Sequence, residues 1–585
     1  MIRPIVAVWI SCVIFTIGLI AEARAQTPSI SSIQIGVSKV DITPNEPVRL
    51  SGYAARKSSM VGVDDPLAVR AVAMRAADGT WSILASIDTI GLSAELTDQI
   101  HATLRSNYGL ERKQVVFCCT HSHTTPHLDG VLINLFGEAL STSEKEAITR
   151  YSQRLVEAVL EAIGTAIKNV QPGRLEVGEG VCEVAKNRRP KLADGQEGPV
   201  DRNVRVIRVL DANQATKAVL YQYACHCTTL PPELNRVSGD WAGISASLIE
   251  KSIPGCVALP VIGCGADANP QRRGDYAIAT QHGASLADAI AKVLQSAMKP
   301  LPPIDRMAFE YVALAYERPS RKQLEEMLQS QRYQEKVFAE SMLDTWKRKG
   351  RLPETYPAPM HVWKFGTELC WVFMGGEVVV DYQLRLAKDL ADAAHRVWVA
   401  GYTDDVFAYV ASERVRKEGG YEVDQSMLYY NRPGRWESGT ENFLVGRIQE
   451  LSRQKRDIGQ PLDPQSSLKA IEVAKGYRIE LIASEPVVQD PINLAFDLKG
   501  RPWIVEMTDY PRGEKQSRGR IKILEDRDGD GHYESSKIFL DQLEFPTGVF
   551  PWKDGAIITC APDVFWARDT NGDDIADEKI VIATG

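Results

Sequence analysis

The run Val115-Val116-Phe117-Cys118-Cys119, followed by Thr120-His121-Ser122-His123, decides how this chain of 585 residues is interpreted. An apolar run rich in valine and phenylalanine predicts a buried β-strand. Residues two positions apart on an extended backbone point to the same side, so His121 and His123 can reach one point at the end of that strand. Two imidazoles brought together in this way most often hold a metal ion. The stretch therefore predicts a metal site and, through it, a hydrolase.

A further histidine lies at the end of another apolar run. His226 follows the predicted strand Ala218–Ala224 and precedes the polar segment Asn235–Trp241. A single histidine in such a place is more often a hydrogen-bonded core residue than a ligand. Two strand ends with the same pattern favour a shared metal site, for which a carboxylate is a suitable further ligand. Glu377 is the candidate, because it follows the predicted strand Cys370–Met374 and is expected in the first turn of a helix.

The predicted elements around the first histidine strand have the order strand, helix, strand. Ser82–Ile87 is followed by helical periodicity over Ala94–Arg105, which leads back to the histidine strand. This βαβ order predicts parallel strand pairs. Long helices are also predicted over Ser143–Val170 and, with many charges, over Arg321–Arg351. The fold class expected for residues 30–458 is therefore α/β, with mixed β-sheets flanked by helices.

The character of the sequence changes at residues 459–468, which are predicted to be a linker because of their glycine and prolines. Residues 469–585 contain short apolar runs separated by turns, which predict a smaller all-β domain. Even spacing is typical of propeller blades, but about 120 residues are too few for a ring of four or more. A partial propeller-like segment, pairing with a second copy and a different β fold all stay open. The predicted strands are Tyr477–Ala483, Asn493–Asp497, Pro502–Glu506, Ile521–Leu524, Val549–Phe550 and Ala556–Thr559.

Two loops in this C-terminal region resemble each other and approach a calcium-binding pattern. Closely spaced carboxylates suit a hard cation that prefers oxygen ligands. Neither loop is an EF-hand, because the twelfth positions are Lys537 and Ile580 instead of glutamate. A calcium site and a solvated turn between strands are both open interpretations. The candidate ligands are Asp526, Asp528 and Asp530 in the first loop and Asp569, Asn571 and Asp573 in the second.

Net charge and the N-terminus limit the functional classes. A net charge of −8 gives no indication of the basic face that nucleic-acid binding needs. Residues 1–25 have the pattern of a secretory signal peptide, since Arg3 precedes an apolar stretch and Ala23-Arg24-Ala25 forms a small-residue cleavage site. The chain is therefore expected to be secreted or periplasmic, with cleavage near Ala25.

Six segments, in the same order, resemble the catalytic domain of the neutral (non-lysosomal) ceramidases. The resemblance extends from about Ile35 to Gln449. It implies a zinc amidohydrolase that cleaves an N-acyl bond of ceramide or another acylated amine, with transient contact to a membrane surface. The segments are Gly36–Pro44, the Thr-His-Ser-His block at 120–123, Asn187–Pro190, the His226 strand with Ser238–Asp240, Gly376–Glu377, and the stretch with Tyr409 and Tyr421.

The resemblance also implies a role for each site residue. Two histidines, a glutamate and a tyrosine hold the zinc ion in this family, and by position these are His121, His226, Glu377 and Tyr409. The remaining implied roles are oxyanion stabilisation by His123 and Tyr421, contact with the substrate amide by Arg188, and orientation of His226 by Asp240.

The sequence departs from the family in the loop Gly265–Pro270. Members of the family carry Gly-Asp-Val-Ser-Pro-Asn there, whereas this chain has Ala268 at the serine position, followed by Asn269. Both residues are expected to line the substrate site. The missing hydroxyl does not affect attack by a zinc-bound hydroxide, but it weakens the case for ceramide. Two alternatives therefore stay open: zinc-dependent hydrolysis of another ester or amide, and a non-catalytic binding protein on a ceramidase scaffold.

Overall fold

A computed structural model describes residues 33–189, 195–453, 463–471, 473, 476–508 and 519–585. The predicted signal peptide at 1–25 lies outside these residues. The chain divides into two compact units, Met1–Gln454 and Lys455–Gly585. This division falls shortly before the predicted linker, whose exact limits stay a prediction. Among the described residues, no helix is both long and apolar enough to cross a membrane.

The strands and helices of the first unit alternate along the chain. Its strands are β1 (Ile33–Asp41), β2 (Ala68–Arg75), β3 (Trp81–Ile87), β4 (Val115–Cys119), β5 (Gln171–Val181), β6 (Ala185–Asn187), β7 (Asn203–Asp211), β8 (Thr216–Tyr223), β9 (Val257–Ile262), β10 (Ala268–Pro270), β11 (Lys299–Leu301), β12 (Arg306–Ala315), β13 (Thr355–Phe365), β14 (Leu369–Met374), β15 (Glu377–Val378), β16 (Val397–Ala400) and β17 (Tyr409–Val410). Its α-helices are α1 (Ala94–Tyr108), α2 (Thr142–Lys168), α3 (Asp240–Ser252), α4 (Tyr276–Gln295), α5 (Arg321–Met327), α6 (Tyr333–Lys349), α7 (Asp381–Asp389), α8 (Glu413–Glu418), α9 (Ser426–Tyr429) and α10 (Thr440–Arg453). A 3₁₀ turn at Arg112–Gln114 and a π-helical turn at Tyr421–Gln425 complete it.

The larger sheet has the order β4-β3-β2-β1-β5-β7-β8-β9, and β11 also pairs with β5. The predicted βαβ unit is confirmed, because β3 and β4 are parallel and α1 lies between them in the chain. A second such unit joins the parallel strands β8 and β9 through α3. The remaining pairs of this sheet are antiparallel. The predicted α/β class with mixed sheets is therefore confirmed.

A second sheet, β12-β13-β14-β16, packs face to face on the larger one. The shared core includes Val72 and Leu84 of the larger sheet and Trp363, Trp371 and Trp398 of the smaller one. Helices α2, α3 and α4 cover the outer face of the larger sheet, and α7 and α10 contact the smaller sheet. Strands buried on both faces are apolar throughout, which explains why β4 is a continuous apolar run rather than an alternating one.

The ends of several strands meet at one edge of these sheets. Isolated bridges join Cys118 to Thr403, Gly263 to Ala400, and Ser122 to Cys227. The segments that follow β4, β8, β9 and β16 are therefore neighbours in space although they are far apart in sequence. Open α/β sheets bind ligands at the carboxyl ends of their strands, so this edge is where a site is expected.

Two predicted helices differ from the observed ones. The helix expected to begin at Glu377 begins at Asp381, because Glu377 and Val378 form strand β15 and pair with β17. The charged stretch Arg321–Arg351 is not one helix. It forms α5 and α6, and Ser330 stabilises the break by bonding the backbone N–H of Arg332 and the side chain of Glu335.

The second unit begins with α11 (Pro464–Ala470) and continues as two four-stranded antiparallel sheets. Two sheets among its described residues do not make the four or more blades of a propeller, so a propeller is not confirmed. Tyr477–Ala483 was predicted as a strand and has no strand structure. The strands are β18 (Pro491–Phe496), β19 (Pro502–Glu506), β20 (Gly519–Glu525), β21 (Ser535–Leu543), β22 (Pro546–Trp552), β23 (Gly555–Cys560), β24 (Asp563–Arg568) and β25 (Glu578–Thr584).

Candidate metal centre

His121 follows β4 in a left-handed backbone conformation, with φ 54°. Its backbone N–H donates to the carbonyl of Thr89, and its Nδ1 lies 2.5 Å from the carbonyl oxygen of Ile90. A ring nitrogen that faces a carbonyl carries the proton, so we assign the tautomer with a bare Nε2. The turn after β4 thus fixes both the tautomer and the direction of the ring, as is usual for histidines that ligate metals.

His226 is held in the same manner at the end of β8. Its Nδ1 lies 2.9 Å from the carbonyl oxygen of Gly265, and its backbone N–H donates to the carbonyl of Ala268. No side chain fits at Gly265, because a Cβ there would lie 2.6 Å from the backbone nitrogen of Cys225. This close approach brings the carbonyl to the ring, and it leaves Nε2 of His226 as the second bare imidazole nitrogen.

Glu377 and Tyr409 are direct neighbours across the parallel pair β15–β17. The backbone N–H of Glu377 donates to the carbonyl of Ala408. The preceding Gly376 has φ 81°, and a Cβ at that position would lie 2.6 Å from the same carbonyl oxygen. Glycine therefore permits the tight turn that places a carboxylate and a phenol side by side.

The three elements bring their polar atoms to one buried point. Nε2 of His121 and Nε2 of His226 lie 3.2 Å and 3.0 Å from Oε2 of Glu377. Neither nitrogen carries a proton in the assigned tautomers, and Oε2 has no hydrogen-bond donor among the described residues. Three lone pairs that face one another in a buried space repel unless a cation lies among them. Two imidazole nitrogens and a carboxylate oxygen are a donor set that suits zinc.

His123 lies beside this point. Its ring centroid is 5.0 Å from that of His121 and 5.6 Å from that of His226. One ring nitrogen from each of the three histidines lies within 4.8 Å of the other two, a spacing that one metal ion could occupy. Both nitrogens of His123 are buried and lack hydrogen-bond partners in the described part of the chain. Its position therefore suits either a third imidazole ligand or a donor to a bound group.

Arg188 and Tyr421 lie on the other side of Tyr409. Arg188 follows β6, and its Nη2 donates to Oη of Tyr409 at 3.1 Å, while its Nε donates to Glu422 at 2.9 Å. The guanidinium carbon lies 5.6 Å from the ring centroids of both Tyr409 and Tyr421. Tyr421 is 41% exposed, so it lies at the surface of the site. The structure thus brings seven predicted site residues together: His121, His123, Arg188, His226, Glu377, Tyr409 and Tyr421.

The protonation states follow from burial and from neighbouring charges. Burial lowers the pKa of His226 to about 4, and Arg188 acts in the same direction. Burial and the adjacent histidines also lower the pKa of His123 well below its ordinary value. Burial alone would raise the pKa of the Glu377 carboxyl, but His121 and His226 hold it well below the ordinary value. Near pH 7 His123 and His226 are therefore neutral and Glu377 is a carboxylate, which are the forms that bind cations.

The contacts of Asp240 lie in the loop that follows His226, and its predicted role in orienting His226 stays a prediction. Its Oδ2 accepts hydrogen bonds from the backbone N–H groups of Thr229 and Leu230, and its Oδ1 accepts from that of Trp241. The ring of His226 contacts the carbonyl of Gly265. Asp240 sits at the start of α3, where a carboxylate is held by free N–H groups, and it therefore fixes the loop after His226.

Ala268 and Asn269 lie on β10, which pairs with β6 just before Arg188. Ala268 is buried, and its carbonyl accepts a hydrogen bond from the backbone N–H of His226. The Oδ1 of Asn269 accepts a hydrogen bond from Thr228 at 3.2 Å. Their predicted contact with a substrate stays a prediction.

Two tyrosines at the site were not predicted. The ring of Tyr402 packs on His121 with centroids 4.5 Å apart, and its hydroxyl lies 3.4 Å from Nδ1 of His226. The hydroxyl of Tyr430 donates to Oε1 of Glu377 at 2.5 Å. Both residues lie in stretches with no motif, and only their place in space distinguishes them from ordinary packing tyrosines.

Comparison with known proteins finds relatives among the ceramidases. Residues 33–270 match the family model of the neutral/alkaline non-lysosomal ceramidases, N-terminal. The chain is 28% identical over 247 residues to neutral ceramidase A of Dictyostelium discoideum and 24% identical over 253 residues to neutral ceramidase of Pseudomonas aeruginosa. The resemblance to the neutral ceramidase family is confirmed. The matches cover 40% and 41% of this chain, and they span only 34% and 36% of these two ceramidases.

The fold is also similar to that of solved ceramidases. The crystal structure of neutral ceramidase from Pseudomonas aeruginosa aligns with a TM-score of 0.57 at 16% identity, covering 87% of this chain and 89% of that one. A ceramidase complexed with C2 aligns with a TM-score of 0.58 at 16% identity, covering 88% and 90%. At this identity the likeness concerns the fold alone. Residues 463–585 match a domain of unknown function, DUF7133.

Proposed function

We propose that the chain is a zinc-dependent amidohydrolase that cleaves the N-acyl bond of ceramide or a related acylated amine. The observation that carries this proposal is the convergence of two bare imidazole nitrogens on one carboxylate oxygen, at 3.2 Å and 3.0 Å, inside a ceramidase-like fold. His121, His226, Glu377 and Tyr409 would hold the ion. When bound, zinc would act as a Lewis acid and lower the pKa of a bound water to about 7.

The remaining site residues would bind the substrate amide or stabilise the charge that develops on its oxygen. Arg188 is held by Glu422 and Tyr409, so its guanidinium is fixed where an amide oxygen or hydroxyl could approach. His123 and Tyr421 flank the ligands and would donate to the oxygen on which charge develops. The carbonyls of Ile90 and Gly265 keep the two histidine ligands in one tautomer, which prevents the bare nitrogens from turning away.

A second candidate is hydrolysis of a different ester or amide, and Ala268 favours it. The methyl group of Ala268 offers no hydroxyl at the position where ceramidases carry serine, and the residue is buried against His226. The head group of the substrate therefore stays open. A non-catalytic protein on this scaffold is the third interpretation.

Metal analysis and a hydrolysis assay separate these functions. We expect about one equivalent of zinc per chain, loss of that zinc in His121→Ala, and cleavage of a fluorescent short-chain ceramide or of an acylated amino acid. His395→Ala is the matched control, because His395 is largely exposed and pairs only with Glu368 in the described contacts. Zinc binding without cleavage of either substrate would exclude the N-acyl proposal. Absence of zinc would exclude the metal centre.

The role of His123 has its own test. If His123 donates to the oxyanion, His123→Ala retains zinc and lowers kcat by about 100- to 1,000-fold, as for an oxyanion donor. Loss of zinc in His123→Ala would instead make it a ligand, which its position among the three histidines also allows. The same two measurements, zinc content and kcat, on Tyr409→Phe test whether the phenol of Tyr409 is a zinc ligand.

Export, contact with a membrane surface and calcium binding in the second unit are further parts of the proposal. Export rests on the leader pattern at residues 1–25 and membrane contact on the ceramidase resemblance. Calcium binding rests on the loop with Asp526, Asp528 and Asp530, which Glu534 joins in space. Sequencing the N-terminus of protein recovered from the culture medium or periplasm tests cleavage near Ala25.

A further inference from the structure

The two oxygens of Glu377 have different surroundings. Oε2 faces Nε2 of His121 and of His226, whereas Oε1 accepts the hydroxyl hydrogen of Tyr430 at 2.5 Å. Both residues are buried, with Tyr430 only 3% exposed. A buried hydroxyl bonded to a charged oxygen is a strong and directional contact. The two oxygens of the carboxylate are therefore not equivalent.

Tyr430 is itself held in place from several sides. Its backbone N–H, just after α9, donates to the carbonyl of Ser426 at the start of that helix, and the next residue, Asn431, has φ 54°. The side chain of Asn431 bonds Asn134 at 3.1 Å and Ser341 at 3.0 Å. These contacts tie the turn after α9 to two distant segments, so the hydroxyl of Tyr430 is positioned before any ligand arrives.

We propose that Tyr430 is a positioning residue that occupies Oε1 of Glu377 and so restricts this carboxylate to one metal-facing oxygen, Oε2. The inference rests on the proposed function. A free carboxylate can bind a cation through both oxygens, and each oxygen used takes up one position around the ion. Keeping Oε1 engaged leaves a position open for water or substrate, which catalytic zinc sites need and structural sites lack.

The test is Tyr430→Phe, which removes only the hydroxyl. Tyr151→Phe is the matched control, because Tyr151 is also buried and its hydroxyl donates to a backbone carbonyl, that of Ile42. We expect Tyr430→Phe to weaken zinc binding by about 10- to 100-fold in competition with a chelator, the usual effect of losing the partner of a ligand. The metal-free variant should unfold at a temperature similar to that of the control.

Cobalt(II) in place of zinc supplies a second readout. The visible absorption of cobalt weakens as its coordination number rises, so release of Oε1 in Tyr430→Phe should lower that absorption. Wild-type zinc affinity and a wild-type cobalt spectrum in the variant would overturn the role of Tyr430 and leave the proposed function intact. A wild-type protein that binds neither metal would overturn both.

Discussion

Among the residues that the structure describes, two groups of side chains could hold a metal ion, and they differ in how their atoms are already engaged. The histidine site (His121, His123, His226 and Glu377) is assembled from three remote segments of the first unit and is almost wholly buried. The first acidic loop (residues 526–534) lies between β20 and β21 of the second unit, and its carboxylates are mostly exposed.

The contacts of the acidic loops are local. Oδ1 and Oδ2 of Asp526 accept the backbone N–H groups of Gly529 and Gly531 at 2.6 Å and 3.0 Å. Asp569 bonds Gly572 and Asp574 in the same way, in the second acidic loop (residues 569–577) between β24 and β25. In the histidine site Oε2 of Glu377 and both ring nitrogens of His123 lack hydrogen-bond partners among the described residues. A loop can stabilise itself through its own amides, whereas the proposed cation would relieve the repulsion between lone pairs in the buried site.

Among the substitutions considered, Glu377→Gln should have the largest effect, and that effect is on the zinc affinity of the histidine site. This variant keeps the shape of the side chain but removes the charge, so zinc affinity should fall by more than about 100-fold, beyond the effect of losing a ligand's partner. The metal-free variant should be at least as stable as wild type, because an amide N–H can donate to an imidazole nitrogen. Chelator competition and thermal unfolding measure the two effects. A variant that retains zinc would show that Glu377 is not a ligand.

The pH dependence of stability should have opposite signs in the two units. Burial raises the pKa of Asp405 in the first unit to about 7. The folded state then keeps a proton that the unfolded state loses above about pH 4, so stability falls as pH rises from about 4 to about 7, by about 2 to 4 kcal/mol. Asp405→Asn should remove this fall, and its advantage over wild type should be present at pH 8 and absent at pH 4.

For Asp569 of the second unit, we expect the dependence of stability on pH to have the opposite sign. Burial alone would raise its pKa, but the backbone N–H groups of Asp574 and Gly572 lower it below the ordinary value. Its contribution is therefore present above about pH 4 and is lost as the pH falls below that value. Denaturant unfolding of Asp569→Asn and wild type between pH 2 and pH 6 checks this sign. Equal slopes for the two proteins would contradict it.

Two glycines with the same backbone conformation give a matched comparison of packing. Gly376 has φ 81° and a Cβ there would meet a carbonyl oxygen at 2.6 Å, whereas Gly572 has φ 84° and open space around it. Gly572→Ala should destabilise its unit by about 1 kcal/mol, and Gly376→Ala by about 2 to 3 kcal/mol with loss of zinc. Hydrogen exchange measured by mass spectrometry reports the two units separately. Equal effects would show that the turn before Glu377 can relax.

The smallest effect is expected for Asp526→Ala. Removing the acceptor for two exposed amides should destabilise the second unit by about 1 kcal/mol and leave the zinc content unchanged. Calcium titration of this variant and wild type, at about 0.1 to 1 mM as for extracellular calcium modules, tests the predicted calcium site. A rise in unfolding temperature confined to wild type would support that site, and no rise in either protein would exclude it.

Much of the fold and most of the site could be predicted from the sequence. The apolar run of β4 and the helical periodicity of α1 are local signals, and they predicted the parallel pair with histidines at its end. The order of six short motifs predicted the resemblance to the neutral ceramidases and, with it, the residues that meet at the histidine site. The sequence failed at Glu377, where pairing of β15 with β17 outweighs the tendency of a glutamate after two glycines to begin a helix.

The sequence by itself determined the kinds of side chain that end the strands, since strand and helix periods depend on neighbours along the chain. Only the tertiary structure decided what touches them: the carbonyl of Gly265 on His226, the hydroxyl of Tyr430 on Glu377, and the backbone amides that engage Asp240. Such contacts join residues far apart in the chain, or depend on the path of a loop, and no spacing rule encodes them. The physical reason is that a buried polar group must form hydrogen bonds with whichever groups lie near it in space. Sequence periodicity does not specify which groups those are.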